Sequence, residues 1–302
     1  MATLLDFRRR IRSVKNTQQI TRAMKFVAAA RLRKAQESAL AARPYALELA
    51  RMLRSIMSRI DEPEHPLLAK REEKNVLVIV LSGERGLAGA FNSNILRRAN
   101  DFIRKQSGKK IVTLPVGKKG RDALKKAGFP FAAEHINVLS KVEFGVAREI
   151  ATLVTELYAK GEIDAVYIVF SEFKSVMTAN LVVEKLLPVE EIRGEGDKAS
   201  EDAGHASAGG KKQAETPVDY IYEQPAEQLL GKLLPRYIET QVLRSMLESS
   251  AAEYAARMVA MDSATKNAGD VIEGLTLHMN KVRQAAITKE IIEIVSGANY
   301  GA

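Results

Sequence analysis

Two long apolar seams, one near each end of this 302-residue chain, restrict what it can fold into. Over residues 3–60, Leu4, Phe7, Ile11 and Val14, and then Ala28, Leu32, Ala35, Ala39, Ala42, Ala46, Leu49, Leu53, Ile56 and Ile60, follow three- and four-residue steps. That spacing is the heptad signature of a helix with one apolar stripe. Gln18, Thr21 and Lys25 interrupt the stripe, and Pro44 should kink the helix or break it locally. A helix of this length spans about 85 Å, more than a single small globule can cover. Helical texture returns from Ala226 to Ser296, with a second seam from Leu247 through Ala251, Tyr254, Met258, Met261 and Thr265 to Ala286.

The texture between the seams is different. Val76–Leu81 is a continuous aliphatic run, as expected of a strand buried on both faces. Ile111–Val116 and Ile163–Phe170 read as further strands, and Leu181–Leu187 as a weaker one. Residues 89–106, Lys118–Ala127 and Phe144–Lys160 read as helices. Strands alternating with helices predict an open, largely parallel sheet.

The expected organisation is an N-terminal coiled-coil helix (1–60), a connector (61–74), an α/β domain (75–189), a Gly-, Ala- and charge-rich flexible loop (190–217) and a C-terminal coiled-coil helix (218–302). The fold class is α/β with long helices. An antiparallel coiled coil of the two terminal helices brackets a Rossmann-like open α/β domain. A parallel homodimeric coil is the competing arrangement; bracketing favours the intramolecular pair, because the inserted domain returns the chain alongside itself.

Composition removes whole classes of chemistry. The chain has no cysteine, which excludes disulfides, thiolate metal sites and cysteine nucleophiles. His65, His135, His205 and His278 lie too far apart in sequence for metal-ligand spacing. No run approaches the length of a membrane-spanning helix. The net charge is +9, yet residues 1–60 alone hold fourteen Lys/Arg against three acids, so the rest of the chain sums to −2. This basic stretch suits nucleic acid, an Arg-rich presequence, or a coil seated in a polar protein sleeve. A heptad that runs straight from Leu4 through the basic part into the body of the helix argues against a cleavable presequence. The absence of tryptophan and the few aromatics weaken the nucleic-acid reading.

Three local features invite a functional reading. VLVIVLSGERGLAGAFNSN (Val76–Asn94) runs from a strand through Gly83, Gly86 and Gly89 into a helix. Its spacing is neither the dinucleotide fingerprint nor a nucleotide P-loop, so a tight strand-to-helix turn is the expected role. Lys118, Lys119, Arg121, Lys125 and Lys126 make a basic helix, read as a solvated face, with a phosphate or acidic-partner contact as the alternative. The C-terminal run carries Ile291, Ile292, Ile294 and Val295 around much of a helix, and a helix apolar nearly all round expects enclosure. So near the chain end, the enclosing body is expected to be another protein. No catalytic constellation emerges.

Four segments carry a family resemblance: MKFVAAARLRKAQ (Met24–Gln36), SGERGLAGAFN (Ser82–Asn92), AARMVAMDSAT (Ala255–Thr265) and NKVRQAAITKEIIEIVSGA (Asn280–Ala298). Together they resemble the gamma subunit of bacterial-type F-type ATP synthase, and the likeness covers essentially the whole chain. The resemblance implies a central rotor shaft, one copy per complex, without catalytic residues, cofactor, metal or nucleic-acid partner of its own. Its coil stands inside a ring of three alpha and three beta subunits, and its α/β domain sits at the foot with the epsilon subunit and the membrane c-ring. It couples proton-driven rotation of the c-ring to conformational cycling of the beta subunits. Matching positions imply beta-subunit contacts at Met24, Lys25 and Arg257, at Arg283 and Gln284, and at Thr288 and Glu290. Ile291, Ile294 and Val295 correspond to the tip in the upper bearing. The glycine turn departs from the family's Ser-Asp-Arg-Gly-Leu-Cys-Gly by Gly83-Glu84 and Ala88. The loop at 190–216 lacks the cysteine pair of chloroplast relatives, so no thiol switch is expected. The chain enters the family pattern almost at once, which implies no transit peptide and a place on the cytoplasmic face of a bacterial inner membrane.

Overall fold

The computed structural model describes residues 3–60, 65–189, 192 and 224–300. Apart from Ile192, the loop expected at 190–217 lies outside the described residues. In chain order the elements are α1 (Leu4–Met57), β1 (Asn75–Leu81), α2 (Phe91–Lys105), β2 (Lys110–Val116), α3 (Lys118–Lys126), α4 (Phe144–Ala159), β3 (Ala165–Phe173), β4 (Ala179–Leu187) and α5 (Ala226–Tyr300). Two compact units divide the chain: residues 1–30 with 257–302, and residues 31–256.

The larger unit is built on a four-stranded sheet of order β2-β1-β3-β4. β1 pairs parallel to β2 and β3, while the edge strand β4 runs antiparallel to β3. The period of two along a strand explains the layering. Leu77, Ile79 and Leu81 of β1 face a core shared with α1, α4 and α5, through Leu53, Ile56, Ile150, Val154, Leu234 and Ile238. Val76, Val78 and Val80 face the opposite core, beneath α2 and α3, with Ile95, Ala99, Ile103 and Leu124. Every one of these β1 side chains is fully buried, worth roughly 1.5–3 kcal/mol each. The continuous aliphatic run therefore reads as a strand covered on both faces.

Pro44 lies inside α1 without breaking it. A proline removes the hydrogen bond to the carbonyl four residues earlier, here that of Leu40. Both residues are exposed, so the freed carbonyl is not buried away from solvent.

One carboxylate joins the starts or bodies of all four strands. Glu73, two residues before β1, accepts from Lys109 beside β2 at 2.7 Å, from Tyr167 of β3 at 3.0 Å and from Lys185 of β4 at 2.9 Å. Burial pushes its carboxyl up, but the hydrogen bonds from Lys109, Lys185 and Tyr167 outweigh this and hold it down at about 2. A carboxyl depressed in the folded state contributes stability above its unfolded value, and that contribution disappears as pH falls toward the folded value. The window here runs from the ordinary 4.5 down to about 2. With 21% of the side chain open to water, screening trims the contribution to about 2 kcal/mol. Glu73→Gln is expected to lower the urea-unfolding free energy of the sheet by about that amount at pH 7. The difference from the unmodified chain should shrink steadily in unfolding series taken toward pH 2.

Candidate functional site

In the smaller unit, α1 and α5 meet through polar groups. The Phe7 ring meets that of His278 at a tilt of 46°, with centroids 5.0 Å apart. Further along, Gln18 donates to the Thr265 carbonyl at 3.3 Å, the Thr21 and Thr265 hydroxyls lie 2.8 Å apart, and Lys25 pairs with Asp262 at 2.6 Å. Partners on α5 thus fall in number as those on α1 rise. The residues that interrupt the N-terminal seam are those that reach across. Each threonine also contacts a backbone carbonyl of its own helix, Gln18 for Thr21 and Met261 for Thr265. The two hydroxyls have two protons for these three short contacts, so one contact at any moment lacks a donor. Hydrogen bonds from Lys25 and then Lys266 hold the Asp262 carboxyl below the ordinary carboxylate range.

Asp262 is the group that sequence reasoning missed. Its signal lies in the spacing: it stands three residues before the polar seam residue Thr265, as the interrupted α1 seam requires. Lys25, expected at a partner contact, pairs with Asp262 and is partly exposed. Met24 and Arg257 are half-buried.

The other expected contacts cluster on the last turns of α5. Arg283, Gln284, Thr288 and Glu290 are exposed. So are Ile287, Ile291, Ile292, Ile294 and Val295, the last four between 54% and 71% exposed. At 100° per residue these five apolar residues cover an arc of about 160°. The expectation of a helix apolar nearly all round is therefore narrowed: Lys289 and Glu293, 3.6 Å apart, occupy the far side. The direction of this arc matters. The seam residues Leu275, Met279, Val282 and Ala286, which are half-buried, lie on nearly the opposite side of the helix. The apolar arc is thus a second face, not a continuation of the seam toward α1. Arg283 and Gln284 sit one or two turns earlier on the same side as the arc. Contiguous exposed apolar surface of this kind marks a partner site.

The glycine turn, in the larger unit, is occupied by its own side chains. The three backbone N–H groups that open α3 are all taken by the segment Ser82–Glu84. Lys118 donates to the Glu84 carboxylate at 3.1 Å, Lys119 to the Gly83 carbonyl at 3.1 Å and Gly120 to the Ser82 hydroxyl at 2.7 Å. Gly83 donates to the Asn92 amide oxygen at 2.8 Å. A β-carbon at Gly117 would lie on the Ser82 carbonyl, and one at Gly120 would lie 2.5 Å from the Ser82 hydroxyl, so both glycines are required. The helix end where an anion would bind carries a carboxylate already. A groove of about 760 Å³, lined by Leu40, Tyr45, Phe144, Phe173 and Leu247 among others, has no histidine in its wall. No metal-holding cluster occurs among the described residues. No described helix is long and apolar enough to cross a membrane.

Ser82→Ala leaves the buried Gly120 N–H without its acceptor. The loss is expected to be about 1–3 kcal/mol, read as a lower melting temperature with an unchanged circular-dichroism spectrum.

Comparison with known proteins follows the same lines. A family model described as ATP synthase matches residues 3–299. The chain is 47% identical over 302 residues to the ATP synthase gamma chain of Solibacter usitatus, covering 99% of each. It is 46% identical over 298 residues to that of Pelotomaculum thermopropionicum, again covering 99% of each. Among solved structures it is similar to a chain of the central stalk and c-ring of the Tetrahymena thermophila mitochondrial ATP synthase. There the TM-score is 0.57 and the identity 24%, over 81% of this chain and 99% of that one. A chain of the Euglena gracilis mitochondrial ATP synthase in its third rotational state gives a TM-score of 0.65 at 19% identity, over 98% and 93%. At such identities the two solved structures bear on fold alone.

Proposed function

Because the chain belongs to the ATP synthase gamma-chain family, we infer that it is the central rotor shaft of an F-type ATP synthase. It couples proton-driven rotation of a membrane c-ring to conformational cycling of the catalytic beta subunits. The observation that carries the mechanical reading is the exposed apolar arc at the end of α5, turned away from the seam. A contiguous exposed apolar arc of this width is the mark of a surface that a partner protein covers.

In this reading α1 and α5 form an antiparallel coiled coil, supported by the descending order of partners from Phe7–His278 to Lys25–Asp262. The coil works within three alpha and three beta subunits, one copy per complex, and the α/β domain engages the epsilon subunit and the c-ring. The chain supplies no catalytic group, because rotation and not chemistry is its contribution. Ile291, Ile294 and Val295 run in the upper bearing. Arg283 and Gln284 make polar contacts with a beta-subunit loop in selected rotor positions, with Thr288 and Glu290 adding a second cluster. Met24, Lys25 and Arg257 form the lower contact, where the Lys25–Asp262 pair fixes the lysine. Bacterial relatives near 47% identity support a location on the cytoplasmic face of the plasma membrane.

Affinity capture of the tagged chain from its native membranes, with subunit stoichiometry by mass spectrometry, tests the assignment. One copy with three alpha and three beta subunits, plus epsilon and c, is the expected result; recovery as a lone homodimer contradicts it. Joint replacement Arg283→Ala and Gln284→Ala should lower ATP turnover and ATP-driven proton pumping without loss of assembly. Pumping at the unmodified rate refutes the role given to that pair.

A further inference from the structure

A second concentration of positive charge follows the basic N-terminal stretch in the sequence. Residues 91–126 hold eleven Lys/Arg against Asp101 and Asp122, a net +9 that equals the charge of the entire chain. They include α2 and α3, which touch each other and cover one face of the sheet. α2 buries Phe91, Ile95, Ala99 and Ile103 against the sheet, so Arg97 and Arg104 fall on its outer side. α3 buries Gly120 and Leu124 and leaves Lys118, Lys119, Lys125 and Lys126 exposed. Among the described residues, part of this charge is neutralised internally: Lys109 by Glu73, and Arg121 by Asp122 at 2.7 Å and Glu134 at 3.9 Å.

We propose that the outer face of α2 and α3 is a docking surface for a membrane rich in anionic lipid, with the lysines of α3 as its main contacts. Charge complementarity selects this occupant. A stable protein interface is anchored by buried aromatic or aliphatic side chains, yet residues 91–126 present no exposed large apolar side chain. Single-stranded nucleic acid is held by stacking on exposed aromatics, and this face has none. A layer of lipid phosphates asks only for dense, mobile positive charge near its plane. The inference rests on the shaft reading to the extent that engagement with a c-ring brings the α/β domain near a membrane.

The full chain is tested by co-sedimentation with phosphatidylcholine vesicles, and with vesicles containing about 30% phosphatidylglycerol, at about 0.1 M salt. Binding to the anionic vesicles alone is expected. The variant K118Q/K119Q/K125Q/K126Q should weaken it by about tenfold or more, and the matched variant R8Q/R9Q/R10Q/R12Q much less. Equal loss in both variants, or loss in the N-terminal one only, overturns the proposal. Tighter binding of the unmodified chain to duplex DNA than to vesicles, abolished by the α3 variant, also overturns it. A salt titration of the unmodified chain needs no variant: binding undiminished at about 1 M salt contradicts an electrostatic surface. Assembly with alpha and beta subunits is read separately; its failure counts against the shaft reading and leaves the vesicle result standing.

Discussion

Helix α5 meets two environments, and this constraint orders the rest of the structure. Between Tyr237 and Ala255 it is buried on nearly every side, polar residues included. Part of this polar content is served from the larger unit: Ser250 donates to the Leu139 carbonyl at 3.0 Å and Tyr254 to the Ser140 carbonyl at 3.2 Å. Between Arg283 and Ser296 nearly every residue of the same helix is exposed, and the isoleucines cluster on one broad arc. Where the chain supplies its own cover, α5 behaves as a core helix. Where no described residue covers it, the apolar surface remains and asks for a foreign wall.

The polar contacts between α1 and α5 serve a different end. Buried or half-buried polar groups in a helical seam contribute less to stability than aliphatic ones, but they fix which residues meet. Thr21 with Thr265 and Lys25 with Asp262 allow one register and one direction. A helix pair that transmits torque is useful only if its two members do not slip. The small residues Ala28, Ala29 and Ala30 just beyond keep that stretch slender.

Much of the fold is legible in the sequence because burial there is simple. Val76–Leu81 has no polar residue on either face, and a strand covered on both sides is its one inexpensive solution. The α1 and α5 seams read directly because a three-four spacing has few other meanings. β4 was harder to place: its first residues are exposed and it runs antiparallel at the sheet edge, so its burial contrast is weak. The role of Ser82-Gly83-Glu84 was hidden for another reason. Its hydrogen bonds cap α3, a helix that begins more than thirty residues later, and no local pattern announces a cap delivered from elsewhere in the chain. Similarly, Glu73 sits in a polar connector and looks solvated until Lys109, just before β2, and Lys185 of β4 are brought to it. At the candidate site the isoleucines were legible, but the direction in which they point required the seam as a reference.

The chain is a mechanical part, so its decisive test is mechanical. A bead is attached to an exposed position on α3 of the chain, assembled with its alpha and beta subunits fixed to a surface, and ATP is added. Sustained rotation in one direction, in three equal steps per turn, is the result the account predicts. ATP hydrolysis at full rate with a stationary or randomly fluctuating bead would contradict it.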